Sequence, residues 1–199
     1  MLAGALFVGM FAAGGYYYLK TPVLEAPPLP VAQEPQLIEY SSSTIGFSIS
    51  YPRGFSAMEP YAYDQFGPKK LIHGVKFMIP MRMATGTNLS SDDTGVSVEW
   101  LPRAKKCTAD IYIPASVPAF TFIEKQVKYS IATTSGAAAG NLYEEKVYAI
   151  ASSTPCTALR YFIHSTNIGN YDPGAVREFD RAALLKEFDA IRESLTFSR

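Results

Sequence analysis

The chain has 199 residues, enough for one domain of about 150 residues with a tail or anchor. Its 48% apolar content supports a packed core and excludes a disordered chain. Eighteen lysines and arginines balance eighteen aspartates and glutamates. With no basic block, the electrostatic footprint of a nucleic-acid binder is missing.

The first segment, residues 1–20, reads "MLAGALFVGMFAAGGYYYLK" and carries no charge before Lys20. As a helix, residues 2–19 rise about 27 Å, close to the hydrocarbon thickness of a bilayer. Tyr16, Tyr17 and Tyr18 followed by Lys20 have the pattern of an interfacial aromatic belt with a snorkelling cation. An N-terminal transmembrane helix is therefore expected. The alternative is a signal segment cleaved near the small residues of "FAAGG". Either way the following domain is expected on the extracytoplasmic side, in the periplasm or at the cell surface, with the membrane as a partner through residues 2–19.

Residues 21–36 hold five prolines, Pro22, Pro27, Pro28, Pro30 and Pro35. Such a run forms neither helix nor sheet and reads as a stiff spacer, reaching up to roughly 50 Å. The domain is expected over residues 37–199.

"LIEYSSS" and "IGFSISYP" open it as strands. In the second, Ile45, Phe47, Ile49 and Tyr51 alternate with small polar residues, the period of a half-buried strand. "LIHGVKFMIPM" and "GVSVEWLP" read as two more, separated by the polar loop "ATGTNLSSDD". "CTADIYI" fits strand or helix. "VKYSIATTS", "GNLYEEKVYAI" and "CTALRYFIHS" are further strands. The small-residue run "GAAAG" at 136–140 suggests close packing or a bulge, and "ASSTP" is short enough for a hairpin. Asp180 is a fitting helix N-cap, with Phe179 and Leu184 placed as a hydrophobic staple. Leu184, Phe188, Ile191 and Leu195 form one apolar stripe, which must lie on the sheet. The expected class is α+β: a mostly antiparallel sheet of six to eight strands with a C-terminal helix packed on it.

Two segments resemble known families. The turn at Tyr51, Pro52, Gly54 and Phe55, with Phe188, Asp189, Ile191 and Phe197 at the end, resembles small exported bacterial domains of the PsbP/Mog1-like fold. The stretches "AAAGNLYEEKVYA", "CTALRYFIH" and "GAVREFDRAALLKEFDAIR", within residues 85 to 195, resemble an uncharacterised family of exported bacterial domains. The PsbP/Mog1-like resemblance implies an antiparallel sheet with flanking helices. It also implies an accessory or assembly role beside a membrane complex rather than catalysis. The uncharacterised family implies no activity.

Cys107 and Cys156 are the two cysteines, and no Cys/His spacing suggests zinc. In an exported domain one disulfide is expected; two separate buried thiols are the alternative. Neither cofactor nor metal is called for. Cys156, Arg160 and His164 share one run, but in a strand Cys156 and His164 stand about 26 Å apart, far beyond the reach of a thiolate–imidazole dyad. Arg160 is expected to pair with Glu144 or Glu145 across the hairpin; a ligand-holding Arg160 is the alternative. "SSDD" at 90–93 reads as a polar turn without the spacing of a calcium loop. Arg160, Tyr161, His164, Tyr171 and Arg177 form the candidate binding surface. The expected function is a membrane-anchored extracytoplasmic binding domain that assists an envelope protein complex. Two alternatives stand beside it. One is an envelope hydrolase using His164 with a carboxylate from Glu144, Glu145, Glu178 or Asp180; the other is a small-ligand-binding module.

Overall fold

The computed structural model describes residues 36–198, so the expected anchor and nearly all of the expected spacer lie outside the described residues. Among those residues no helix is long and apolar enough to cross a membrane.

Among the described residues ten strands form two antiparallel sheets: the larger, of seven strands, has the expected size, and a second sheet of three stands beside it. The strands β1 (Leu37–Ser42), β2 (Phe47–Pro52) and β10 (Thr196–Phe197) make a small sheet with β2 at its centre. The large sheet holds β3 (Ser56–Tyr63), β4 (Ile72–Met78), β5 (Gly95–Leu101), β9 (Cys156–Thr166), β8 (Asn141–Ile150), β7 (Val127–Ala138) and β6 (Phe120–Glu124), in that order. Three strands escape the periodicity reading for local reasons. β3 carries Glu59 and Pro60 and breaks register between Met58 and Tyr61, β6 is an exposed edge, and β10 is two residues long.

Side chains on one strand alternate between faces, and the large sheet uses both. One face packs under β2 and the helix α2 (Arg181–Glu193), with Phe47, Phe77, Leu159, Tyr161 and Phe188 in its core; the single-turn helix α1 (Met81–Ala84) follows β4. Asp180 caps α2, accepting from the Ala183 amide at 2.9 Å. The stripe behind it buries Leu184, Phe188 and Ile191 completely and Leu195 in part. Asn88 ties the start of α2 to β9: its Nδ2 donates to the Thr166 carbonyl and its Oδ1 accepts from the Phe179 amide.

The other face is covered in part by the segment 102–119, from which Ala104, Cys107, Ala109, Tyr112, Ile113 and Val117 pack on it. The segment left open between strand and helix, "CTADIYI", is a 3-10 turn at Ala109–Tyr112. Ala109, Tyr112 and Ile113 pack there on Ala132, Val147 and Ala158. Cys107 and Cys156 form a disulfide, Cα–Cα 5.1 Å, that fastens this cover to the start of β9. The "GAAAG" run holds no bulge, and its close packing is confined to Gly140, where a side-chain carbon would meet Asn170 at 2.5 Å. Gly136–Ala138 continue β7, and Ala139 and Gly140, with φ of 48° and 81°, make the two-residue turn into β8.

The disulfide spans 49 residues of sequence, so the chain-entropy model gives about 4 kcal/mol of stabilisation. Replacing both cysteines by alanine should lower the urea midpoint accordingly. An unchanged midpoint would show that the cover holds without its crosslink.

Candidate functional site

The covered face is built around Arg160. On β9, odd residues face α2 and even residues face the cover, so Arg160 and Tyr161 point to opposite sides. β9 is the central strand of seven with both faces covered, so Arg160 is 0% and Tyr161 1% exposed. Neither belongs to a binding surface. Tyr161 instead donates to Phe188 O and Asp189 Oδ1 and accepts from Arg192 Nε, on the side of the sheet that carries α2.

The Arg160 guanidinium is fully engaged. Nε and Nη2 donate to Glu99 Oε1 and Oε2, both at 2.8 Å. Nη2 also donates to the Tyr112 carbonyl at 2.7 Å, and Nη1 donates to Glu145. Its carbon lies 3.5 Å from the centroid of the Tyr63 ring, and the Tyr63 hydroxyl donates to Glu145 Oε2 at 3.0 Å. Ser97 Oγ completes Glu99 with a 2.6 Å bond. Burial opposes the charged guanidinium, yet Glu99 and Glu145 together hold it above its ordinary range. Burial also pushes the Tyr63 and Tyr112 phenols up.

Of the two glutamates expected to meet Arg160, Glu145 does and Glu144 does not. They are neighbours on β8 and face opposite sides, so Glu144 pairs with Arg181 of α2 at 2.6 Å. Glu99 is the partner that sequence reading missed. Its signal is a single carboxylate within "GVSVEW", at a position that alternates inward with Ser97.

His164 lies on the same face beyond Phe162. Its carboxylate is none of Glu144, Glu145, Glu178 or Asp180. It is Asp93 of the "SSDD" turn, with Nδ1 and Oδ1 2.8 Å apart. The imidazole stacks on Tyr143, centroids 4.5 Å apart. Tyr171 and Arg177 are exposed, but among the described residues neither side chain bonds to His164 or to the other. The five residues of the candidate surface therefore do not form one.

An open groove of about 620 Å³ lies where the cover ends. Tyr143, Glu145 and Phe162 line it from the sheet, Ile113 from the cover, and Asp93 and Tyr63 from adjoining strands and loops. It exists because beyond Ala132, where the cover packs, β7 presents only Thr134, Gly136 and Ala138 on this face. Beside Phe162 stands Lys76, 6% exposed, its Nζ 4.8 Å from that ring and 5.5 Å from Tyr61. Among the described residues it makes no hydrogen bond or ion pair. Burial pulls its pKa down, and Asp93 opposes that shift.

No protein-family model and no curated protein matches the chain. Among solved structures it is similar to PsbP (CyanoP) of Synechocystis sp. PCC 6803, at 16% identity and a TM-score of 0.43, covering 89% of this chain and 99% of that one. A likeness at this level assigns neither family nor function. The class defined by the coordinates is an α+β domain of mostly antiparallel sheet with few helices.

The two buried cations of this face should respond oppositely to the same substitution. Arg160→Met strands Glu99 in the core and should destabilise by about 3–5 kcal/mol. Lys76→Met keeps the stem and removes an ammonium that is largely, though not wholly, stripped of water, so its urea midpoint should rise. A lysine whose pKa falls on folding binds fewer protons folded than unfolded, so native stability rises with pH through that window. The advantage of Lys76→Met should therefore shrink as pH approaches the ordinary lysine value of 10.5. A lower midpoint for Lys76→Met at neutral pH would show that the two rings hold the ammonium favourably.

Proposed function

We propose that this is a membrane-tethered extracytoplasmic domain that acts by binding, and that the groove receives a segment of an envelope protein partner. The groove itself carries the reading. Its volume falls in the range of about 300–1,000 Å³ typical of ligand sites, and its charged floor is held rigid from beneath. The apolar first segment, the proline-rich spacer and the Cys107–Cys156 disulfide support an export route.

One observation favours a hydrolase instead. Asp93 and His164 have the separation of a carboxylate-oriented general base. Among the described residues no hydroxyl or thiol bonds to the free side of that ring, so such an enzyme would have to activate water. It requires that His164→Ala abolish turnover while barely moving the melting temperature.

The binding reading is tested by photo-crosslinking in cells with the full-length chain. A crosslinker at Ala138, on the groove, should give one reproducible adduct, and one at Lys186, exposed on α2, should not. Equal adducts from both faces, or none from either, would contradict it.

A further inference from the structure

The groove has a chemistry of its own. Tyr143 stands between its two register partners, His164 on β9 and Gly136 on β7. His164 stacks on one face of the ring, with 26° between the planes. On the other side a side-chain carbon placed at Gly136 meets nothing within 4 Å. That face of Tyr143 opens onto the groove.

Two residues along β8, Glu145 points the same way, opposite Thr134. Arg160 and Tyr63 anchor its carboxylate, so little side-chain freedom remains to be lost on binding. Arg160 also serves Glu99. One guanidinium thus faces two carboxylates, of which Glu145 lines the groove, and with Asp93 the carboxylates here outnumber Arg160 and Lys76 by three to two. Asp93 adds a second carboxylate, and no lysine or arginine lines the groove. Lys76 is nearby but lies against Phe162 and Tyr61. An anion would meet two carboxylates here, and a purely apolar ligand would strip them of water without return. A cation gains from both the open ring face and the carboxylate.

We propose that a cation seats over Gly136, between the open face of Tyr143 and the Glu145 carboxylate, so that the ligand bears a guanidinium, amine or quaternary ammonium. This rests on the groove being the binding site. The cation can be a basic side chain of a protein partner or a free organic amine, and the shared chemistry is what the site reads.

The test uses the full-length chain in non-ionic detergent, labelled with 3-fluorotyrosine, with the Tyr143 signal identified through Tyr143→Phe. Arginine methyl ester, tetramethylammonium and the tripeptide acetyl-Ala-Arg-Ala-amide are titrated in, with acetate and glucose as anionic and neutral probes. The cations should shift the Tyr143 fluorine signal saturably. Gly136→Val fills the space beside the ring without strain, because the site is an open strand position. It should leave the unfolding midpoint unchanged and weaken cation binding roughly tenfold, within the range of a cation–ring contact. The tripeptide binding more tightly than the free ester supports a protein side chain as the source; equal affinity supports a free amine. Saturable binding of acetate or glucose alone would overturn the cation site and leave the groove reading standing. Undiminished cation binding in Gly136→Val would place the cation elsewhere and overturn it too. No saturable shift with any probe would also overturn it, while the crosslinking from Ala138 judges the groove independently.

Discussion

A guanidinium with no exposure to water organises the functional face. Arg160 joins β5 through Glu99, β8 through Glu145, β3 through the Tyr63 ring and the cover through the Tyr112 carbonyl. Stripping a charge of water costs several kcal/mol, recovered only where geometry and partners are complete. Here they are complete, so these four pieces must adopt their relative positions together. The disulfide fastens one end of the cover and Arg160 fastens its middle, leaving the groove where the cover stops.

The two faces differ for a reason rooted in strand alternation. Facing α2, the sheet offers Phe77, Val98, Leu159 and Tyr161 to an apolar helix stripe. Facing the cover, it offers Ser97, Glu99, Arg160 and Glu145 beside the apolar Ala132, Val147 and Ala158. The cover meets both, with the Tyr112 carbonyl on Arg160 and the Ala109, Tyr112 and Ile113 side chains on the apolar group. Small residues at Thr134, Gly136 and Ala138 then keep the far end of that face open, and they place the groove beside the buried charges.

Much of the fold was legible in the chain. The helix shows its cap and its stripe, since both are local patterns. The β8–β9 hairpin is short in sequence, so a glutamate near Arg160 follows from strand pairing alone. Which of Glu144 and Glu145 faces it depends on register to a single residue, and no composition rule supplies that. Glu99 lies 61 residues from Arg160, beyond any local spacing. Arg160 was legible as an ion-pair partner, but its place with Tyr161 on a binding surface was not sustained, because β9 is the central strand and both its faces are covered. Asp93 was hidden in a turn whose polar residues have an adequate explanation without any partner.

Hydrogen exchange on Arg160→Met tests this dependence most directly. If Arg160 holds the cover to the sheet, amides in the Ala109–Ile113 turn should lose most of their protection, while those of Leu184–Ile191 in α2 keep theirs in excess of the global loss. Equal loss on both faces, or a cover as protected as before, would contradict the claim that the buried guanidinium fixes the groove-bearing face.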